Sequence, residues 1–164
     1  MATITLRPVE PPDWERVRAW LQQAEIQAWW GGLAAAEAEI AIASESPSAI
    51  CRLILAGGSP VGYGHALDAD IVRSGRTDGL PVGAYMVSLF VADPAHRQRG
   101  AGETVLAALT DEVFASTLAP ASATLIPLRY EAAVRAAERA GYRWIGVRDD
   151  GGSGQSWLMV RDRP

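Results

Sequence analysis

The residues Arg97-Gln98-Arg99-Gly100-Ala101-Gly102 have the types and the spacing to hold an anion. They follow the apolar run Val87-Ser88-Leu89-Phe90-Val91-Ala92 and the turn Asp93-Pro94, and they lead into the apolar-periodic stretch Glu103 to Leu109. That order reads as strand, turn, basic-glycine loop, helix. A helix start leaves several backbone N–H groups unpaired and carries a partial positive charge. Two glycines let a diphosphate approach that backbone, and two arginines add charge. Two familiar phosphate loops do not fit. The nucleotide P-loop requires Gly-Lys-Ser or Gly-Lys-Thr, and the chain has neither. The dinucleotide fingerprint requires a third glycine or alanine where Val105 stands.

Size and composition narrow the partners. The 164 residues suit a single domain, 1–164, with a sizeable core. Hydrophobic residues make up 49% and charged residues 21%, ordinary for a globular chain. A formal net charge of -4 argues against a nucleic-acid binder, which would show a basic face. The only cysteine, Cys51, excludes an internal disulfide and permits a cytoplasmic setting; its apolar neighbours make it a buried strand residue. No stretch reaches the ~18–20 apolar residues of a membrane span. The N-terminus lacks the pattern of a signal peptide.

These groups must be positioned by an ordered set of elements. Thr3 to Arg7 alternates as a first strand, and Pro11-Pro12-Asp13 starts a helix carrying Trp14, Val17, Trp20 and Leu21. Ala34 to Ala43 reads as a second helix. Strands over Ala49 to Leu55 and Val61 to Leu67 are joined at Gly57-Gly58-Ser59, a hairpin signal. Val82 to Ala92 is the long central strand, and Gly102 to Thr117 the helix after the anion loop, with Val105, Leu106, Leu109, Val113 and Phe114 on one face. A strand over Ala123 to Ile126, a helix over Arg129 to Ala140 stopped by Gly141, and a hairpin of Tyr142 to Val147 with Gln155 to Val160 complete the chain. The expected order is β-α-α-β-β-β-α-β-α-β-β, an α/β chain with a mixed sheet.

Both the loop and this order resemble the GNAT superfamily of acetyl-CoA-dependent N-acetyltransferases. The loop matches that family's pyrophosphate pattern R/Q-x-x-G-x-G/A, and the resemblance covers nearly the whole chain. It implies the GNAT acyl-CoA N-acyltransferase fold. It also implies acetyl-CoA as cosubstrate, no metal, and direct attack by an amine on the thioester. By the same resemblance Arg97, Gln98, Arg99, Gly100, Ala101 and Gly102 bind the pyrophosphate, and Glu103 belongs to the cofactor site. Phe90, Val91 and Ala92 hold the cofactor arm through their backbone and polarise the acetyl carbonyl, as an oxyanion hole does. The family's late helix ends in Gly-aromatic, matched by Gly141-Tyr142, with Tyr130 in place of its asparagine, implying contact with the pantetheine arm. The family's proton-donating tyrosine falls on Ala137, which has no proton to give.

An attacking amine must be neutral, so a base is required. The candidates are His65, with Ser88 as a water holder, and Asp68 and Asp70 beyond the strand end; His96 is read as packing or phosphate-proximal. The segment Trp29-Trp30-Gly31-Gly32, after Leu6-Arg7-Pro8 and Trp20-Leu21, resembles the aminoglycoside 6′-N-acetyltransferase branch, where such a pair lies near the acceptor. That resemblance implies Trp29 and Trp30, with Asp68 and Asp70, as the acceptor wall. Asp78, Asp149 and Asp150 are further loop carboxylates suited to a polycation. Ser88 falls near the position where that branch carries an aspartate. The expected partner is a small-molecule amine, with aminoglycosides one candidate type and with neither nucleic acid nor membrane, and the protein a monomer or homodimer. Two alternatives stay open: an acyl-CoA-binding protein with little catalysis, and an acetyltransferase acting on protein N-termini or lysines.

Overall fold

A computed structural model describes residues 2–72, 78–97, 100–149 and 154–164. The chain runs β1 (Ile4–Pro8), α1 (Asp13–Trp20), α2 (Ala24–Trp29), α3 (Leu33–Glu45), β2 (Ile50–Ala56), β3 (Ser59–Asp68) and β4 (Tyr85–Val91). A 3-10 turn (Pro94–His96), α4 (Ala101–Ser116), β5 (Ala121–Pro127), α5 (Glu131–Arg139), β6 (Arg143–Asp149) and β7 (Gln155–Asp162) follow. The strands form one sheet in the order β1-β2-β3-β4-β5-β7-β6. Every neighbouring pair is antiparallel except β4 and β5, which run parallel and need α4 as their crossover. The mixed α/β sheet is the one expected from the sequence.

One element was not anticipated. Three helices, not two, separate β1 from β2, because Gln23 is extended and starts a new turn at Ala24. Gly31 and Gly32, both at positive φ, then turn the chain into α3. The central strand is also shorter than its apolar run. Ala84 N–H bonds the Pro81 carbonyl, Val82 projects into solvent, and regular pairing begins at Tyr85.

Helices α1, α2 and α3 cover one face through Val17, Leu21, Ile26, Ala36 and Ile40, packed on Leu53, Tyr63 and Phe90. Helices α4 and α5 cover the other through Val105, Leu109, Val113 and Ala137, packed on Ile54, Ala66 and Val87. Val105, Leu109 and Val113 are fully buried, each worth about 1.5–3 kcal/mol of burial. This packing fixes α4, and hence its N-terminus, against β4. No helix among the described residues is long and apolar enough to cross a membrane.

Candidate active site

The sheet opens at its centre. β4 and β5 are in register only at Tyr85 with Ser122 and Met86 with Ala123. Past that point the strands diverge, and the Thr124 hydroxyl donates to the Val87 carbonyl at 2.9 Å, sealing the base of the split. Further along β4, the Leu89 carbonyl accepts from Trp30 Nε1 at 3.3 Å and the Val91 carbonyl from Arg97 Nε at 2.7 Å. These carbonyls therefore point away from β3. In a strand the N–H of a residue lies on the same edge as its C=O, so the Leu89 and Val91 N–H groups also face the opening. Ala92 points the other way: its N–H donates to Val61 of β3 at 2.6 Å. Phe90 packs inward with Trp30 and Tyr63.

A cavity of about 1010 Å³ fills the split and continues to both sides of the sheet. At one end are Gly100, Gly102, Glu103 and Leu106 of the α4 start, with Tyr130, Ala133, Ala136, Ala137 and Arg139 of α5. At the other are Glu25, Ile26, Trp29, Trp30, Glu39 and Ser88, with Thr124 and Ser156 across from them. Of the residues singled out in the sequence, Trp29, Trp30, Ser88, Phe90, Val91, Arg97, Gly100, Gly102, Glu103 and Tyr130 line it. Ala92, Ala101, His65, Asp68 and Asp70 do not. Gln98 and Arg99 lie outside the described residues.

At the anion end, Gly100 caps α4 in the left-handed conformation (φ 82°) and supplies no side-chain cap. The first N–H groups of this helix thus keep their capacity for an anion. A Cβ placed on Gly100 or Gly102 would meet nothing within 4 Å, so the glycines leave an open concavity over the helix end. This fits a pyrophosphate. Arg97 takes a different part. Its guanidinium donates to the Val91 and Ala92 carbonyls, to Gln23 and to Glu25, which ties the α2 start to the end of β4. Arg139 of α5 is an exposed cation at the α4–α5 edge, bonded to Glu103 at 2.9 Å.

At the opposite end the tryptophans divide. Trp30 is buried, its ring 5.3 Å from His65 and 5.5 Å from Phe90. Trp29 lies 4.3 Å from the Tyr130 ring, Arg129 sits over that same ring, and Arg129 donates to the Ala28 carbonyl at 2.8 Å. Helices α2 and α5 are thereby bridged across the mouth of the split. His65 is fully buried on β3, directly opposite Ser88 in the register, so the two side chains share a face. Its Nδ1 lies 2.7 Å from the Tyr63 hydroxyl, and its Nε2 lies 3.6 Å from Glu39 Oε1.

Asp68, Asp70, Asp78 and Asp149 do not line the cavity. Asp68 accepts the Asp70 N–H at 2.9 Å as a turn residue, and the Asp78 carbonyl accepts from Arg148. Asp149 is exposed at the end of β6, and Asp150 lies outside the described residues. The carboxylates that do line the cavity are Glu25, Glu39, Glu103 and Glu131. Glu39 had a signal in the sequence. Ala36, Ile40 and Ala43 are the buried stripe of α3, and Glu39 interrupts that stripe at i+3.

A sheet split beside a parallel crossover, with an uncapped glycine-rich helix start at one end, defines an acyltransferase-type cleft. Residues 10–149 match the family described as the acetyltransferase (GNAT) domain, and the chain belongs to that family. It is an N-acetyltransferase by family and by fold. Among solved structures, an aminoglycoside acetyltransferase AAC(6′)-Ib in complex with coenzyme A superposes with a TM-score of 0.80 at 22% identity, over 98% of this chain and 95% of that one. The same enzyme with coenzyme A and kanamycin gives the same figures. An aminoglycoside N(6′)-acetyltransferase from Legionella pneumophila gives a TM-score of 0.74 at 17% identity, over 99% and 93%. No curated protein matches the sequence.

Proposed function

We propose that this chain transfers an acetyl group from acetyl-CoA to a primary amine of a small cationic molecule, with aminoglycosides the first class to test. One observation carries the reading: a single cavity joins the open helix start at Gly100–Gly102 to the acceptor-side wall through the β4–β5 split. In this reading the N–H groups at the α4 start hold the pyrophosphate. Tyr130 and the Leu89 and Val91 N–H groups line the path of the arm. Acetyl-CoA supplies an activated thioester. The backbone donors of β4 are fixed by the sheet, so they stabilise developing oxyanion charge without reorganising. The solved aminoglycoside acetyltransferases of like fold support the choice of acceptor class.

A second reading, acyl-CoA binding with little catalysis, is favoured by Ala137. It is buried against the cavity where the resemblance places a proton-donating tyrosine. A thiol of pKa ~8.5 is an undemanding leaving group, so loss of that donor slows the step without abolishing it. Thiol-reagent detection of CoA release against a panel of amines separates the two. Saturable release dependent on the amine supports transfer. Acetyl-CoA binding with no amine-dependent release supports the second reading.

A further inference from the structure

We infer that Glu39, held by the buried His65, is the carboxylate that receives the acceptor's ammonium group and takes its proton. This rests on the acetyl-transfer reading above. Glu39 lines the acceptor end of the cavity, with its side chain 17% exposed. His65 has no exposed surface, and its Nε2 makes no hydrogen bond among the described residues. Glu39 Oε1 lies 3.6 Å from that nitrogen.

The tautomer follows from the neighbours. Burial, reinforced by the adjacent Cys51 thiol, pushes the Tyr63 hydroxyl well above its usual range, so it stays protonated and has a proton to give to Nδ1. The ring proton is then on Nε2, facing the carboxylate; the other tautomer would set a lone pair against it. The chain Tyr63, His65, Glu39 thus runs from the core to the cavity wall. It ends on a carboxylate in the wall of the cavity that Ser88, the cross-strand neighbour of His65, also lines.

In the step, Glu39 accepts one proton from R–NH3+. The freed nitrogen pair forms the C–N bond, and the C–S bond breaks with its electron pair on sulfur. The surplus proton on nitrogen goes to that sulfur, and the proton on Glu39 returns to water. The sum is ammonium plus thioester giving amide, thiol and one proton. Glu39 acts on the substrate; His65 is a positioning residue.

The test uses the full chain loaded with CoA, titrated calorimetrically with kanamycin, spermidine and benzylamine, and the same amines as acceptors in CoA-release assays. Glu39→Gln is expected to weaken amine binding by about 10-fold or more. It should lower kcat by about 100-fold or more, the scale of losing a general base, while CoA affinity stays at the wild-type value. Glu37→Gln, on the exposed side of the same helix, serves as control. His65→Phe should reproduce the amine effect without altering the KM for acetyl-CoA. The double variant should be no worse than Glu39→Gln alone, since the two act as one unit. Amine binding and kcat in Glu39→Gln within about twofold of wild type, below the scale of any base, would overturn the assignment alone. Absence of amine binding and release in wild type, with CoA bound, would overturn the acetyl-transfer reading and this inference with it.

Discussion

At Gly102 an added methyl group would meet no heavy atom within 4 Å. The backbone there is helical, so alanine fits and stabilises the helix by up to about 1 kcal/mol relative to glycine. The pyrophosphate pattern admits alanine at this position, whereas a longer side chain would fill the concavity. Gly102→Ala is therefore expected to raise the melting temperature or leave it unchanged with CoA affinity kept, and Gly102→Leu to weaken CoA binding, measured by melting and calorimetry on one preparation. Tyr142 makes the opposite case. Its buried hydroxyl bridges Thr110 and Ser122, and Thr110 already donates to the Leu106 carbonyl. The Tyr142 hydroxyl thus donates to Thr110 and accepts from Ser122. Tyr142→Phe leaves the buried Ser122 hydroxyl without its acceptor and takes from Thr110 its second partner, at a cost of about 1–3 kcal/mol in a denaturant titration, with CoA affinity unchanged.

Among the elements, β1 is tied to α1 by Arg7, which donates to both carboxylate oxygens of Asp13 at 2.7 and 3.0 Å. The Arg7 hydrogen bond, helped by the Glu10 N–H, lowers the Asp13 pKa from 3.8 to about 2. A carboxylate with a lowered folded pKa stabilises the fold fully above its unfolded value and loses that contribution as pH falls toward the folded one. Asp13→Asn should therefore be less stable than wild type at neutral pH, and the difference should shrink between pH 3.8 and about 2. Unfolding curves at several acid pH values measure it. The bridge between α2 and α5 makes a separate case. Trp29→Ala removes the face stacked on Tyr130 and opens the mouth of the split. The KM for acetyl-CoA is expected to rise with little change in melting temperature, because Trp29 is only partly buried.

Across the whole molecule, the legible parts of the sequence were those with local causes. The glycines at 100 and 102, the period of Val105, Leu109 and Val113, and the Gly57–Gly58 hairpin each follow from neighbours in the chain, and each stands in the fold as read. The cavity brings Ser88, Trp29, Trp30 and Tyr130 together as a long-range consequence of the sheet order. What the sequence hid was equally long-range. The contacts of Arg97 with Gln23 and Glu25 join residues 74 and 72 positions apart in the chain. The turn at the end of β3, in which the Asp70 N–H donates to the Asp68 carboxylate, leaves both residues outside the cavity lining. Glu39 breaks the apolar stripe of its helix in the sequence, but its partner His65 comes from β3, far away in the chain.

The central claim is that one cavity carries both halves of an acetyl transfer. Amine-dependent CoA release by the purified chain tests it most directly. The account predicts saturable release in acetyl-CoA and in amine, one thiol formed for each amide, and a rate well above that of the amine with acetyl-CoA alone. Tight acetyl-CoA binding with release no faster than the uncatalysed reaction, for every amine in the panel, would contradict it.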